Sequence, residues 1–132
     1  MKRILLLCTL LAAPAQAQSL PPLGTQDHVM DRLFAAAVGD EIRKACPTIS
    51  ARLFRVLREA RALENWALEK GYSEKQIDAF LESRSERQKL EKRRDAYLLA
   101  AGVRSDDAQT YCSLGRDEIA KGSLIGYLLK LR

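Results

Sequence analysis

The chain is short of most of the parts that enzymatic chemistry is built from. It carries a single histidine, His28, and one histidine cannot make an HExxH or any other multi-histidine zinc site. Gly-x-Ser-x-Gly elbows, phosphate-binding loops and Cys-x-x-Cys-His haem sites do not occur, so no cofactor or metal is implied. Asn-Gly and Asp-Gly, the strongest short hairpin signals, are missing as well. No segment sustains an apolar–polar alternation of period two, which argues against a domain built of strands. No apolar run comes near the roughly 20 residues that a membrane-crossing helix needs.

What is present at the N-terminus has three parts. Lys2 and Arg3 give a positive start, and Ile4 to Ala13 are largely apolar, broken only by Thr9. Pro14-Ala15-Gln16-Ala17 then offers small residues at the two positions that a signal peptidase reads. The pattern predicts a signal peptide over 1–17, cleaved after Ala17, and hence an exported protein. A buried N-terminal helix would have to carry two charges and a proline on a very short segment. Cys8 lies inside the apolar run behind Leu7, where lipid attachment wants a small residue, so a lipoprotein is not expected. Loss of Lys2 and Arg3 lowers the net charge by two, from +5 to +3. That is a mild bias and not the field of a nucleic-acid binder. The remainder, Gln18 to Arg132, has the size of one domain.

Cysteine usage fits export. With Cys8 gone, Cys46 and Cys112 remain, and an even pair in an oxidising compartment is most simply a disulfide. Two unpaired buried thiols are the alternative. Closing so long a loop would stabilise the fold by about 4 kcal/mol in the chain-entropy model. Against a typical net stability of roughly 5–15 kcal/mol, that decides whether the domain folds. Paired cysteines also leave no thiolate nucleophile.

Residues 18–26 begin with a proline-rich stretch and read as an extended arm. From Asp27 the pattern turns helical: Val29, Met30, Leu33, Phe34, Ala37 and Val38 recur at spacings of three and four. Gly39-Asp40 weakens this helix and shifts its stripe toward Ile42 and Cys46, and Pro47 ends it. A second helix is predicted over 49–70. Its apolar arc is Ile49, Leu53, Val56, Leu57, Ala60, Leu63 and Ala67, with Arg52, Arg55, Arg58 and Arg61 opposite. Thr48 or Ser50 could cap its start, and Gly71 could end it. Ser73 and Gln76 have capping-box spacing, with Tyr72 and Ile77 placed as a hydrophobic staple, so a short helix follows over about 74–82. Ser83 with Glu86, or Ser85 with Gln88, can cap a fourth helix that Gly102 ends. Ser105, Asp106 and Asp107 suit the start of a fifth, which Gly122-Ser123 breaks. Leu124 to Leu129 then form a short apolar turn. The expectation is an all-α bundle of about five helices in one domain over 27–132, closed by one disulfide.

Candidate chemistry is thin. A solvated or capping role accounts for His28. The serines sit mostly at helix boundaries, and the carboxylates are interleaved with Lys and Arg as solvated faces require. Two features stand out. Arg84, Arg87, Lys89, Lys92, Arg93 and Arg94, set against Glu86, Glu91 and Asp95, are either a docking face for an acidic partner or an anionic headgroup layer, or an exposed face laced with ion pairs. Trp66 lies about 120° from the centre of its helix's apolar arc. It is either an interface anchor or part of a second buried face. Leu124 to Leu129 is either a core plug or an exposed docking element.

The segments AAAVGDEIRKACPTISARLFRV (35–56), GYSEKQIDAFL (71–81) and YCSLGRDEIAKGSLIGYLL (111–129) resemble a family of short exported proteins of alphaproteobacteria, catalogued as a domain of unknown function. The resemblance implies a periplasmic helical domain with Cys46 and Cys112 as the pair and no assigned activity. Some members are labelled as a respiratory NADH dehydrogenase subunit. The subunit usually meant holds a [2Fe–2S] cluster on four cysteines, which two mature cysteines cannot supply.

The sequence therefore points to a non-catalytic periplasmic interaction protein docking on another envelope protein, with Trp66 and the Arg84, Arg87, Lys92, Arg93, Arg94 face as candidate partner surface. A small hydrolase or lyase using facing carboxylates, and a peripheral membrane or respiratory-chain accessory protein, are the alternatives.

Overall fold

The computed structural model describes residues 19–132; the predicted signal peptide and Gln18 lie outside the described residues. The order is a 3-10 turn (Leu23–Thr25), α1 (Asp27–Ala45), β1 (Ile49–Ala51), α2 (Leu53–Glu69), α3 (Glu74–Glu82), α4 (Arg84–Ala100), α5 (Ala108–Lys121), α6 (Leu124–Tyr127) and β2 (Leu129–Leu131). The predicted helical bundle is present, with six α-helices among the described residues, of which the last is a single turn.

Local chemistry sets most boundaries. Ser73 and Gln76 form the full capping box at the start of α3. The Ser83 hydroxyl accepts the Glu86 amide at the start of α4, and Asp107 caps α5 by accepting the Gln109 amide. Gly122 ends α5 with φ +65°, a left-handed turn that a side chain resists.

The second predicted helix needs correction at its start. Residues 49–51 are a strand, not a first helical turn: β1 pairs antiparallel with β2, Ile49 opposite Leu131 and Ala51 opposite Leu129. The proposed caps Thr48 and Ser50 therefore lie upstream of α2, whose N-cap is Arg52, without a side-chain bond. The physical reason is burial. Ile49 is wholly buried, and the extended backbone lets it enter the core while its ladder bonds are met by the C-terminal segment. Gly39 does not break α1. It is buried facing Leu129, and a methyl group there would meet the Leu129 side chain only at ordinary contact distance.

Two apolar clusters share α1. The larger gathers Val38, Ile42, Ile49, Cys112, Leu114, Ile125 and Leu129 from α1, the sheet, α5 and α6. The C-terminal apolar segment is thus largely a core plug, with Ile125, Leu128 and Leu129 buried. The smaller cluster joins Leu23, Val29, Ala67, Tyr72 and Ile77. It holds down the N-terminal arm, where Tyr72 donates its hydroxyl proton to the Pro21 carbonyl at 2.6 Å. The predicted bond between Cys46 and Cys112 is present, and it fastens the end of α1 to α5. Both sulfurs are buried.

Candidate interaction face

Helix α2 has a strong apolar stripe, and it aims only one edge of that stripe at the core. Its inward side is marked by Val56, Glu59, Leu63, Trp66 and Ala67, while Leu53, Phe54, Leu57 and Ala60 are exposed. At about 100° per residue, the helix is turned by roughly 60° from the orientation its apolar arc predicts. Two sets of contacts hold it there. At one end the guanidinium of Arg52 donates to the Leu129 carbonyl at 2.9 Å. Arg55 donates to the Tyr127 carbonyl at 3.0 Å and lies 4.5 Å from the centre of the Tyr127 ring, and Arg58 donates to the Tyr127 hydroxyl. Carbonyls at a helix C-terminus lack partners within the helix, so guanidinium groups are drawn to them. At the other end Trp66 stacks on His28, with ring centroids 4.5 Å apart.

The result is an apolar ridge on a rigid element. Phe54 is 91% exposed, Leu53 69% and Leu57 55%. Isolated exposed leucines are ordinary, but three large apolar side chains within one and a half turns form a patch. Leu53 stands between two hollows. One, of about 420 Å³, is bounded by Gly39, Asp40, Arg43, Val56 and Leu129. The other, of about 360 Å³, lies between Arg52, Phe54, Arg55 and Lys130.

The residues singled out from sequence lie elsewhere. Trp66 is half-buried against the smaller cluster, with the Lys70 ammonium 5.8 Å from its ring centre. Arg93 pairs with Asp31 at 2.7 Å and covers the Phe34 ring at 4.3 Å. Arg94 pairs with Asp95 at 2.8 Å and reaches Glu41 at 3.5 Å. These two arginines thus bind α4 to α1, and Lys89 pairs with Glu86. Arg84, Arg87 and Lys92 are exposed.

Sequence reasoning missed Glu118. It is a buried carboxylate, 2% exposed, which accepts from the Tyr97 hydroxyl at 2.5 Å, from the Ser123 hydroxyl and from Lys121 at 3.3 Å. Burial pushes its carboxyl upward, but the hydrogen bonds from Ser123, Tyr97 and Lys121 prevail and hold it below its ordinary value. Burial and the same bond push the Tyr97 phenol up to about 12. The spacing of Lys121 and Ser123 behind it resembles any surface helix end, so no signal marked it out. Its partners make it a clamp between α4, α5 and α6.

His28 accepts a hydrogen bond at Nδ1 from Arg32 at 3.1 Å, which places the proton of the neutral ring on Nε2 because Arg can only donate. Asp40 is the one carboxylate on the larger hollow beside Leu53, and none lines the smaller. No cluster of three or more His, Cys, Asp or Glu able to hold a metal ion occurs among the described residues, and none of their helices is long and apolar enough to cross a membrane.

A small helical domain closed by a buried disulfide, with one helix turned outward, is the class of protein that these features define. The chain belongs to the Family of unknown function (DUF5333), whose pattern matches residues 21–130. No curated protein and no solved structure matches it.

Proposed function

We propose that the protein is an exported, non-catalytic module that docks on another protein of the periplasm through the outward face of α2. The observation that carries this is Phe54, fully aromatic and almost wholly in solvent, on a helix whose rotation is fixed at both ends. An aromatic side chain held on a rigid element loses little entropy on binding and is a favoured anchor. Export is supported by the three-part N-terminus and by a disulfide of the kind that persists in oxidising compartments. A non-catalytic role is supported by the engagement of the chain's single histidine with Trp66 and Arg32.

The test has two parts. Mass spectrometry of protein taken from the periplasm should give an N-terminus at Gln18 and no free thiols. A tagged wild-type protein should retain an envelope partner that Leu53→Ser/Phe54→Ser/Leu57→Ser loses, while Trp66→Ala and Arg93→Glu serve as comparisons. Retention of the partner by the triple variant, with its helical circular dichroism intact, would rule out this face.

A further inference from the structure

The α2 face is apolar at its centre and positive at its border, and the arginines of that helix join no ion pair among the described residues. Arg52, Arg55 and Arg58 direct their donors at neutral oxygens, the carbonyls of Leu129 and Tyr127 and the Tyr127 hydroxyl. Such bonds fix the guanidinium groups without cancelling their charge. Arg61, one turn after Leu57, and Lys130, on the rim of the hollow beside Phe54, join no ion pair among the described residues. Arg43, on the rim of the larger hollow, behaves differently: it and Lys44 both close on Asp40 at 2.5 Å. Uncompensated positive charge is therefore concentrated around Leu53, Phe54 and Leu57.

We infer that the occupant of this face is an acidic amphipathic segment of another protein, with apolar side chains at helical spacing and carboxylates along its flanks. The inference rests on the docking reading of the same face and adds the chemistry of the partner. Apolar side chains of the segment fill the two hollows on either side of Leu53, and its carboxylates meet Arg58, Arg61 and Lys130. A second copy of this chain fits poorly, because a two-fold contact would bring the arginines of α2 against one another. A lipid surface fits poorly as well, because a headgroup layer has no side chains to seat in hollows of about 420 and 360 Å³. Electrostatic matching of this kind speeds encounter and rejects partners of the wrong sign.

The test titrates the oxidised protein, followed by backbone amide shifts, with three probes. These are a synthetic helix with leucines at spacings of three and four flanked by glutamates, the same helix flanked by lysines, and vesicles containing phosphatidylglycerol. The glutamate helix should move amides within 51–61 and 128–131. Its affinity should fall roughly thirtyfold in Phe54→Ser, as for a hot-spot residue, and should fall with added salt and in Arg61→Glu/Lys130→Glu. Phe54 is exposed, so circular dichroism should confirm that its variant folds. Equal binding of the lysine helix at the same amides would overturn the acidic partner and leave the docking reading standing. Binding of vesicles in place of the peptides would assign the face to lipid, and a concentration-dependent dimer abolished by Phe54→Ser would assign it to a second copy; either overturns the inference. Failure of all three probes to move these amides overturns it too. The docking reading itself fails only if the triple α2 variant keeps the natural partner.

Discussion

The imidazole of His28 lies nearly flat on the indole of Trp66, ring centroids 4.5 Å apart and planes inclined by 23°. Trp66 is the only tryptophan of the chain, so this contact gives the domain an internal optical reporter. Burial first, then the nearby Arg32 and Lys70, hold the His28 imidazole below its ordinary value, with Glu59 opposing. Trp66 emission should be quenched on acidification with a midpoint below 6.5, and His28→Leu should remove the transition. The linkage has a definite sign. Below the unfolded value the unfolded chain binds more protons than the native one, so stability falls as pH drops from 6.5 toward the native value and then levels off. Urea midpoints measured across that range, with and without His28→Leu, check the slope.

Glycines should respond to alanine in opposite directions. At Gly126 a methyl would land on the Glu118 carbonyl and the Ile119 amide, backbone atoms that cannot step aside. Gly126→Ala should cost about 3 kcal/mol by overpacking. At Gly39, inside α1, the nearest atom would be a Leu129 methyl at 3.7 Å, an ordinary contact. Gly39→Ala should therefore stabilise by about 0.5–1 kcal/mol through helix propensity and a less flexible unfolded chain. Denaturant midpoints of the two variants, compared with wild type, decide both claims.

Glu118 should act as a fastener and not as a catalyst. Glu118→Gln should lose about 1–3 kcal/mol at neutral pH, because it weakens a buried charge-assisted network. The native carboxyl is held below its ordinary value of 4.5. Its contribution is therefore complete above that value and is lost as pH falls through the lower native one. The gap in stability between wild type and Glu118→Gln should close on acidification. A double-mutant cycle with Tyr97→Phe should show coupling between the two sites.

The disulfide should be a major brace and hard to reach. Replacing both Cys46 and Cys112 with alanine should remove about 4 kcal/mol, the loop-closure value. Both residues are 1% exposed, so a thiol reductant should leave the bond intact under native conditions and cleave it once denaturant opens the core. Alkylation followed by mass spectrometry measures this directly.

Much of this architecture was legible because it is written in neighbouring residues. Ser73 with Gln76, Ser83 with Glu86, and Gly122 act within one turn, and the two cysteines could pair in only one way. The misses are long-range. Ile49 falls in phase with Leu53 on a helical wheel, so nothing nearby separates it from α2; its strand exists only because Leu131 arrives from the far end of the chain. The rotation of α2 was hidden for the same reason. Periodicity tells which residues are apolar, whereas the carbonyls of Tyr127 and Leu129 tell the helix which way to turn. Arg52, Arg55 and Arg58, read as a solvated side, hold the C-terminal segment, and the apolar residues they displace became the candidate face. Trp66, off the arc by the wheel, marks the true inward side.

The pairing of β1 with β2 makes the larger cluster depend on parts of the chain that lie far apart in sequence. Ile49 and Leu129, both wholly or almost wholly buried, join that cluster when residues 49–51 and 129–131 come together. Closing so long a loop costs chain entropy before its contacts repay it. The small sheet should therefore order late in folding, after the helices whose caps act within a single turn.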